Sequence, residues 1–134
     1  MSIFYTSRTE DIGEDALQEL FLSVAWESGK YPNELLQAIL GSHSVVTAWD
    51  GDKLVGLINA LSDGVLTVYF HYMLIHPSYQ NQGIGKALMN RMLDQYKGFK
   101  TKVLISYSDA VEFYHKVGFT QEDGATPMFI SELV

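Results

Sequence analysis

A glycine-rich turn at residues 80–86, with the sequence Gln-Asn-Gln-Gly-Ile-Gly-Lys, precedes a predicted helix. It contains no Ser, Thr or Asp to cap that helix, so several backbone N–H groups of the first turn are left free. Glycines let a ligand approach the backbone closely, and the helix dipole favours negative charge at this end. The turn therefore predicts a pyrophosphate site, to which Lys86 adds a cation. The alternative is that Asn81 caps the helix and the glycines only make a tight turn.

Two other phosphate-binding loops do not fit these residues. A nucleotide triphosphatase loop requires glycine at position 80 and Ser or Thr at position 87, where the chain has Gln80 and Ala87. The dinucleotide-binding fingerprint requires a third glycine at position 88, which is Leu88. The turn therefore belongs to neither class.

The apolar residues around the turn follow strand and helix spacing in a regular order. The predicted strands lie at residues 3–6, 45–49, 54–61, 66–76, 103–105, 119–120 and 128–130. The predicted helices lie at residues 17–25, 32–40, 84–96 and 111–117, the last with a capping-box pattern of Asp109 and Glu112. The order β-α-α-β-β-β-α-β-α-β-β predicts an α/β (α+β) fold with a mixed, mainly antiparallel sheet and helices on both faces.

The composition limits the classes of function. A chain of 134 residues that is 47% hydrophobic is expected to form a single domain, residues 1–134. The absence of cysteine excludes a thiol nucleophile, and the four histidines show no metal-binding spacing, so no metal is expected. No leader or membrane-spanning segment is visible, which predicts a soluble, cytoplasmic protein without a membrane partner. The oligomeric state is open, a homodimer included.

The charge distribution separates two regions of the chain. The net charge is −7 at pH 7, which argues against nucleic acid as a partner. Residues 86–116 nevertheless carry six of the nine cationic side chains and three acids, whereas residues 1–85 carry three cations and ten acids. This division fits a basic region for an anionic ligand and an acidic region for a cationic one, or ordinary surface scatter.

Two motifs together resemble those of the Gcn5-related N-acetyltransferase (GNAT) superfamily. Gln-x-x-Gly-x-Gly follows a strand that ends Leu-Ile-His-Pro at residues 74–77, as in motif A of that superfamily. About thirty residues later, residues 110–119 read Ala-Val-Glu-Phe-Tyr-His-Lys-Val-Gly-Phe, similar to its second motif. Within the superfamily the chain resembles the short branch that includes plant plastid serotonin and lysine N-acetyltransferases. The strand at 71–76 is also similar to that of arylalkylamine N-acetyltransferases.

The resemblance implies acetyl-CoA (coenzyme A) as cofactor and residues that bind it. The pantetheine arm would follow the main chain of the motif A strand, and the pyrophosphate would bind the backbone of the turn. The implied cofactor-binding residues are Met73, Leu74, Ile75, Gln80, Asn81, Gln82, Gly83, Ile84, Gly85, Lys86, Tyr107 and Tyr114. Many relatives have Asn at the position of Tyr107, which puts the usual side-chain contact there in doubt.

The resemblance also implies direct acetyl transfer to a primary amine in a ternary complex. Tyr114 matches the tyrosine that acts as general acid on the thiolate, although a core tyrosine is the alternative. His71 is the candidate general base because its neutral form is available near pH 7, although a packed histidine is the alternative. A bulge in this strand would change which way His71 faces.

The acceptor is expected between the first two helices and the final strands. The candidate substrate-binding residues are Trp26, Glu27, Tyr31, Tyr69, Tyr72 and Phe129. Aromatic and acidic side chains suit a small, aromatic and cationic amine, although they equally describe a packed tryptophan and a solvated helix face. A protein or peptide lysine is the second candidate acceptor, and a non-catalytic acyl-CoA-binding module is the alternative outside the enzyme class.

Overall fold

The structure is a computed structural model that describes residues 2–133. Its strands are β1 (Phe4–Thr6), β2 (Ser44–Asp50), β3 (Lys53–Ser62), β4 (Thr67–Ile75) and β5 (Thr101–Leu104). They form one sheet in the order β1-β2-β3-β4-β5, in which β1 to β4 are antiparallel and β5 is parallel to β4. The predicted mixed, mainly antiparallel sheet is confirmed.

Four α-helices cover the two faces of this sheet. They are α1 (Glu14–Ser23), α2 (Pro32–Leu40), α3 (Ile84–Gln95) and α4 (Val111–Lys116). The helix α3 buries Leu88, Met89 and Met92 against one face, and α1 and α2 bury an apolar set that includes Leu17 and Ile39 against the other. Within each helix the buried residues lie one, three or four positions apart, so each helix presents one apolar stripe to the sheet. Each fully buried Leu side chain stabilises the fold by about 2 kcal/mol. The prediction of helices on both faces is confirmed.

The strands β4 and β5 are hydrogen-bonded to each other over only part of the length of β4. Their pairing runs from Thr67 opposite Thr101 to Phe70 opposite Leu104. The strand β5 ends there, whereas β4 continues to Ile75. The second half of β4 therefore has an unpaired edge on the side that β5 has left.

The two final strands predicted from the sequence are wrong. Residues 119–133 contain no strand, and Met128 and Ile130 are almost fully exposed. The hydrogen bonds described in this segment are local, such as the one from Ala125 N–H to the Glu122 carbonyl. A strand requires a neighbouring strand to pair its backbone groups, and apolar letters alone do not supply one.

The capping box predicted for the last helix is also wrong. A short 3₁₀ turn, Ser108–Ala110, precedes α4, and its N-cap residue Ala110 forms no side-chain hydrogen bond. The turn places Asp109 one position before the N-cap, so its carboxylate does not cap the helix. Among residues 2–133, no helix has the length and hydropathy needed to cross a membrane.

Candidate active site

The glycine turn leaves the first turn of α3 uncapped. The N-cap residue is Gly83, with a left-handed φ of 84°, and no side chain bonds to the cap. Asn81, with φ of 63°, shapes the turn but does not cap the helix. The first helical hydrogen bond runs from Ala87 N–H to the Gly83 carbonyl at 3.1 Å. The N–H groups that precede this bond belong to Ile84, Gly85 and Lys86.

Gly85 is small because two other elements approach it. A Cβ atom at this position would lie 3.1 Å from the Met73 Cε and 3.5 Å from the Phe113 Cζ. The first turn of α3 therefore meets β4 and α4 at Gly85, and the absence of a side chain keeps the space between them open.

The unpaired edge of β4 exposes main-chain groups of alternate residues. His76 N–H donates to the Val55 carbonyl at 2.8 Å, so residue 76 points its backbone towards β3. Because this direction alternates along an antiparallel strand, Met73 and Ile75 point their N–H and carbonyl groups to the opposite edge. The Ile75 carbonyl there accepts a hydrogen bond from Gln80 Nε2 at 3.1 Å. This edge can bind an extended amide-containing chain.

A β-bulge interrupts β4 at the candidate base. Ala60 pairs with Phe70 and Ile58 pairs with Met73, so the single residue Asn59 lies opposite two residues of β4. Those two residues are His71 and Tyr72, and their rings stack with centroids 4.0 Å apart. The bulge therefore places both rings on the same side of the sheet, where simple alternation would separate them.

Partial desolvation shifts the pKa values of the two candidate catalytic residues in opposite directions, although the His71 side chain is still exposed and Tyr114 is half-buried. Desolvation lowers the pKa of His71 below its ordinary value, so the imidazole stays neutral to lower pH. Desolvation raises the pKa of Tyr114, whose ring packs 5.2 Å from Phe113 on α4. Near neutral pH the phenol is thus protonated and the imidazole unprotonated.

A cleft of about 1490 Å³ runs through the gap between β4 and β5. The predicted site residues that line it are Trp26, Glu27, Tyr69, His71, Tyr72, Met73, Leu74, Ile75, Gln80, Asn81, Gly83, Ile84, Gly85, Lys86, Tyr107, Tyr114 and Phe129. Two predicted residues do not line it: Gln82, which is exposed in the turn, and Tyr31, which precedes α2. Leu74 lines it only marginally, because its side chain is packed in the core beneath α1 and α2.

One end of the cleft is aromatic. The Trp26 ring lies 6.0 Å from the ring of Tyr72 and 6.1 Å from that of Tyr107, which comes from the opposite rim. Burial raises the pKa of Tyr69, and the neighbouring Tyr72 adds to this shift. The Glu27 carboxylate, expected to face a cationic acceptor, lies 3.1 Å from Lys30 Nζ, so its charge is already partly balanced.

The cleft also contains residues that the sequence did not single out. Ser28 is buried and its Oγ lies 2.7 Å from the Tyr72 hydroxyl, a contact across 44 positions that no local pattern indicates. Phe113, which lies beside Gly85, directly precedes Tyr114 in the second motif, so that motif was the available signal for it. Residues 130–133 line the cleft as well. Within residues 2–133 no group of three or more His, Asp or Glu side chains could hold a metal ion.

Comparisons with known proteins agree with this geometry. The family model described as an acetyltransferase (GNAT) domain matches residues 9–127. The chain belongs to the GNAT acetyltransferase family. It is 37% identical to an uncharacterised N-acetyltransferase, ycf52, of Gracilaria tenuistipitata var. liui, over 93% of this chain and 72% of that protein. It is also 34% identical to the chloroplastic GCN5-related N-acetyltransferase 1 of Arabidopsis thaliana, over 90% of this chain and 63% of that protein.

A solved GNAT structure has the same fold. The acetyltransferase from Streptococcus pneumoniae superposes with a TM-score of 0.84 at 29% identity, covering 98% of this chain and 99% of that one. The predictions of the family, of an acetyltransferase and of acetyl-CoA as the acetyl donor are confirmed. An uncapped helix start and a free strand edge in one cleft fit the pyrophosphate and the amide-bearing arm of this donor.

Proposed function

We propose that this GNAT enzyme transfers acetyl directly from acetyl-CoA to a small primary amine, with an aromatic amine favoured. The observation that carries the proposal is the gap between β4 and β5. The main chain of Met73 and Ile75 at the edge of β4 that β5 has left, the uncapped start of α3 and the Tyr114 side chain all line this one cleft. The candidate acid and base, Tyr114 and His71, line the same cleft as the groups proposed to bind the donor.

The chain supplies two kinds of donor contact. The main chain of Met73 and Ile75 binds the pantetheine arm as a further strand would, by hydrogen bonds to the free edge of β4. The N–H groups at the start of α3, together with the Lys86 ammonium, bind the pyrophosphate. Acetyl-CoA contributes an acetyl group that is activated as a thioester.

Two side chains move protons during the transfer. The His71 imidazole accepts a proton from the amine as the new C–N bond forms, and the Tyr114 hydroxyl donates a proton to the sulfur as the C–S bond breaks. A main-chain N–H of β4 polarises the thioester carbonyl. The products are an acetamide and free CoA thiol. The lowered pKa of His71 and the raised pKa of Tyr114 support these roles, because each group is in the required form near pH 7.

The aromatic end of the cleft supports an aromatic acceptor. Trp26, Tyr72 and Tyr107 line the same cleft, with the Trp26 ring 6.0 Å from that of Tyr72 and 6.1 Å from that of Tyr107. Aromatic side chains pack against aromatic rings and attract an ammonium group. Phe129 also lines the cleft, and Tyr69 borders His71 with ring centroids 5.5 Å apart.

A lysine side chain of a protein or peptide is the second candidate acceptor. The exposed acidic residues Asp15, Glu19 and Glu34 of α1 and α2 favour it, since a basic peptide could bind along that surface. The small amine remains the first proposal because the aromatic residues line the cleft itself, whereas these acids lie outside its lining.

An amine panel tests the acceptor. Release of CoA thiol is measured with an arylalkylamine, an alkylamine of the same chain length without the ring, a polyamine and a lysine peptide. We expect the arylalkylamine to exceed the matched alkylamine about tenfold in kcat/KM, which corresponds to stacking of about 1.4 kcal/mol. The variant Trp26→Leu should remove most of this preference. A lysine peptide as the best substrate of the wild type would reassign the acceptor.

Three further proposals rest on the sequence. Residues 1–134 form a single domain, the enzyme is cytoplasmic, and a homodimer is its candidate assembly. The Arabidopsis relative is named as chloroplastic, so a plastid location is the alternative to the cytoplasm.

A further inference from the structure

Asn59 is a buried amide in the middle of an apolar strand. Its exposed fraction is 2%, and its neighbours along β3, Ile58 and Ala60, are fully buried. It is also the single residue that faces the two bulged residues of β4. A polar group at such a position is costly unless hydrogen bonds compensate for its burial.

Both ends of the Asn59 amide are hydrogen-bonded. Its Oδ1 accepts the backbone N–H of Tyr72 at 2.7 Å, and its Nδ2 donates to Ser42 Oγ at 3.0 Å. Ser42 Oγ donates in turn to the Ala38 carbonyl in α2 at 3.0 Å. The bulge is therefore tied to the C-terminal end of α2 by a short chain of polar contacts.

The hydrogen bond from Tyr72 N–H to Asn59 Oδ1 replaces a backbone hydrogen bond of the sheet. In a regular ladder the N–H of residue 72 would pair with a main-chain carbonyl of β3. Here the side chain supplies the acceptor, which keeps the extra residue of β4 in place. Tyr72 is held at a second point by the contact of its hydroxyl with Ser28, and the His71 ring stacks on it.

We propose that Asn59 is a positioning residue for acetyl transfer, whose side-chain carbonyl fixes the bulge that directs the His71 imidazole into the cleft. The inference rests on the proposed function, because it assumes that His71 takes the proton of the amine. It adds a requirement that the family motifs do not contain, namely a polar residue on β3 opposite the base.

The variant Asn59→Leu tests the proposal, because leucine has a similar volume and cannot accept the Tyr72 N–H. The His71 imidazole is titrated by NMR in this variant, with the signal assigned through His71→Gln, and kcat/KM and the acetyl-CoA Kd are measured in parallel. We expect the His71 pKa to rise towards its ordinary value as the ring moves away from the rings of Tyr69 and Tyr72, which partly desolvate it. We expect kcat/KM for the amine to fall about 10- to 100-fold, with a smaller change in the donor Kd.

Two matched variants separate positioning from stability. Asn59→Asp keeps an acceptor for Tyr72 N–H, and we expect it to recover most of the lost kcat/KM. Ser42→Ala removes the partner of Nδ2 but leaves the bond to Tyr72, so the His71 titration and kcat/KM should match those of the wild type although the protein is less stable. Lys86 and the carboxylates that line the same cleft, Glu27, Asp109 and Glu132, stay unchanged, so a shifted titration reports the position of His71.

The outcomes distinguish this proposal from the proposed function. A folded Asn59→Leu whose His71 titrates as in the wild type would overturn the role of Asn59, whatever its activity. A shifted titration with unchanged kcat/KM would support the role of Asn59 and instead overturn His71 as the base. If Asn59→Leu does not fold, the strand-favouring variant Asn59→Thr, whose hydroxyl is too short to reach Tyr72, is judged by the same criteria.

Discussion

The pKa shifts of Tyr114 and His71 both come from desolvation. No ion pair is needed, since desolvation disfavours the charged form of each group and so raises the pKa of the phenol and lowers that of the imidazole. Both residues line the cleft that contains the free edge of β4. At the residue scale, the proposed proton transfers therefore depend on the partial desolvation of each ring.

Replacement of Tyr114 by Phe should lower kcat by about 100-fold, because a positioned general acid typically contributes at least that much. The acetyl-CoA Kd should stay within about twofold, since the ring that packs against the core is retained. Tyr5→Phe on β1 is the matched control and should have wild-type kinetics. A Tyr114→Phe enzyme with unchanged kcat and unchanged donor affinity would show that Tyr114 is a core residue only.

Replacement of His71 by Gln should alter the pH dependence of kcat/KM. In the wild type, kcat/KM should fall as the pH drops through the lowered pKa of His71, at a pH below the ordinary histidine value of about 6.5. The variant should lose this limb, and its deficit should shrink at high pH, where the amine is already deprotonated. Identical pH profiles for the two enzymes, measured with a small amine, would remove His71 as the base.

At this scale the sequence predicted the glycine turn but not the residues that support β4. Gly83 and Gly85 could be assigned because a motif of local spacing reports a local backbone conformation. Asn59 and Ser28 could not, because each acts through a contact with Tyr72, which lies far along the chain and meets them only in the folded sheet.

At the scale of elements, the site depends on where α3 begins relative to β4. The helix starts without a cap. Its first turn lies close to Met73, and a Cβ atom at position 85 would lie only 3.1 Å from the Met73 Cε. The same closeness places the free N–H groups of the helix beside the free edge of the strand. Cofactor binding should therefore be sensitive to any side chain introduced at this junction.

The substitution Gly85→Val should weaken acetyl-CoA binding about tenfold, since overpacking of a tight contact costs about 1–3 kcal/mol. Its Cβ would lie 3.1 Å from the Met73 Cε, so this side chain must shift, and its two methyl groups would add bulk beside Phe113. Gly98→Val is the control, because a Cβ there meets nothing within 4 Å. Calorimetric titration with acetyl-CoA compares the two variants. Equal and undiminished affinities would show that the junction does not bind the donor.

The order of strands and helices could be predicted from apolar periodicity, but the bulge in β4 and the end of the sheet could not. The bulge in β4 was not located, because residues 67–75 are almost continuously apolar or aromatic and reveal no break in alternation. The strands expected at 119–120 and 128–130 failed because pairing depends on a neighbouring strand edge and not on the composition of the segment. Both are properties of the assembled sheet.

At the scale of the whole molecule, the two helical layers hold a sheet that opens on one side. The cores beneath α1 and α2 and beneath α3 fix the central strands, so β4 can leave half of one edge unpaired without losing its place. The resulting cleft reaches from the basic start of α3 to the aromatic residues near the first helix. This arrangement matches an anionic donor at one end and an amine acceptor at the other.

The central claim is direct acetyl transfer within this cleft, and initial-rate kinetics with both substrates varied test it most directly. CoA thiol release and the mass of the acetylated amine are measured together over a range of acetyl-CoA and amine concentrations. Direct transfer predicts equal amounts of thiol and acetamide, no release without amine, and intersecting double-reciprocal plots, as a ternary complex requires. An enzyme that binds acetyl-CoA tightly but releases no thiol with an arylalkylamine, a polyamine or a lysine peptide would contradict it.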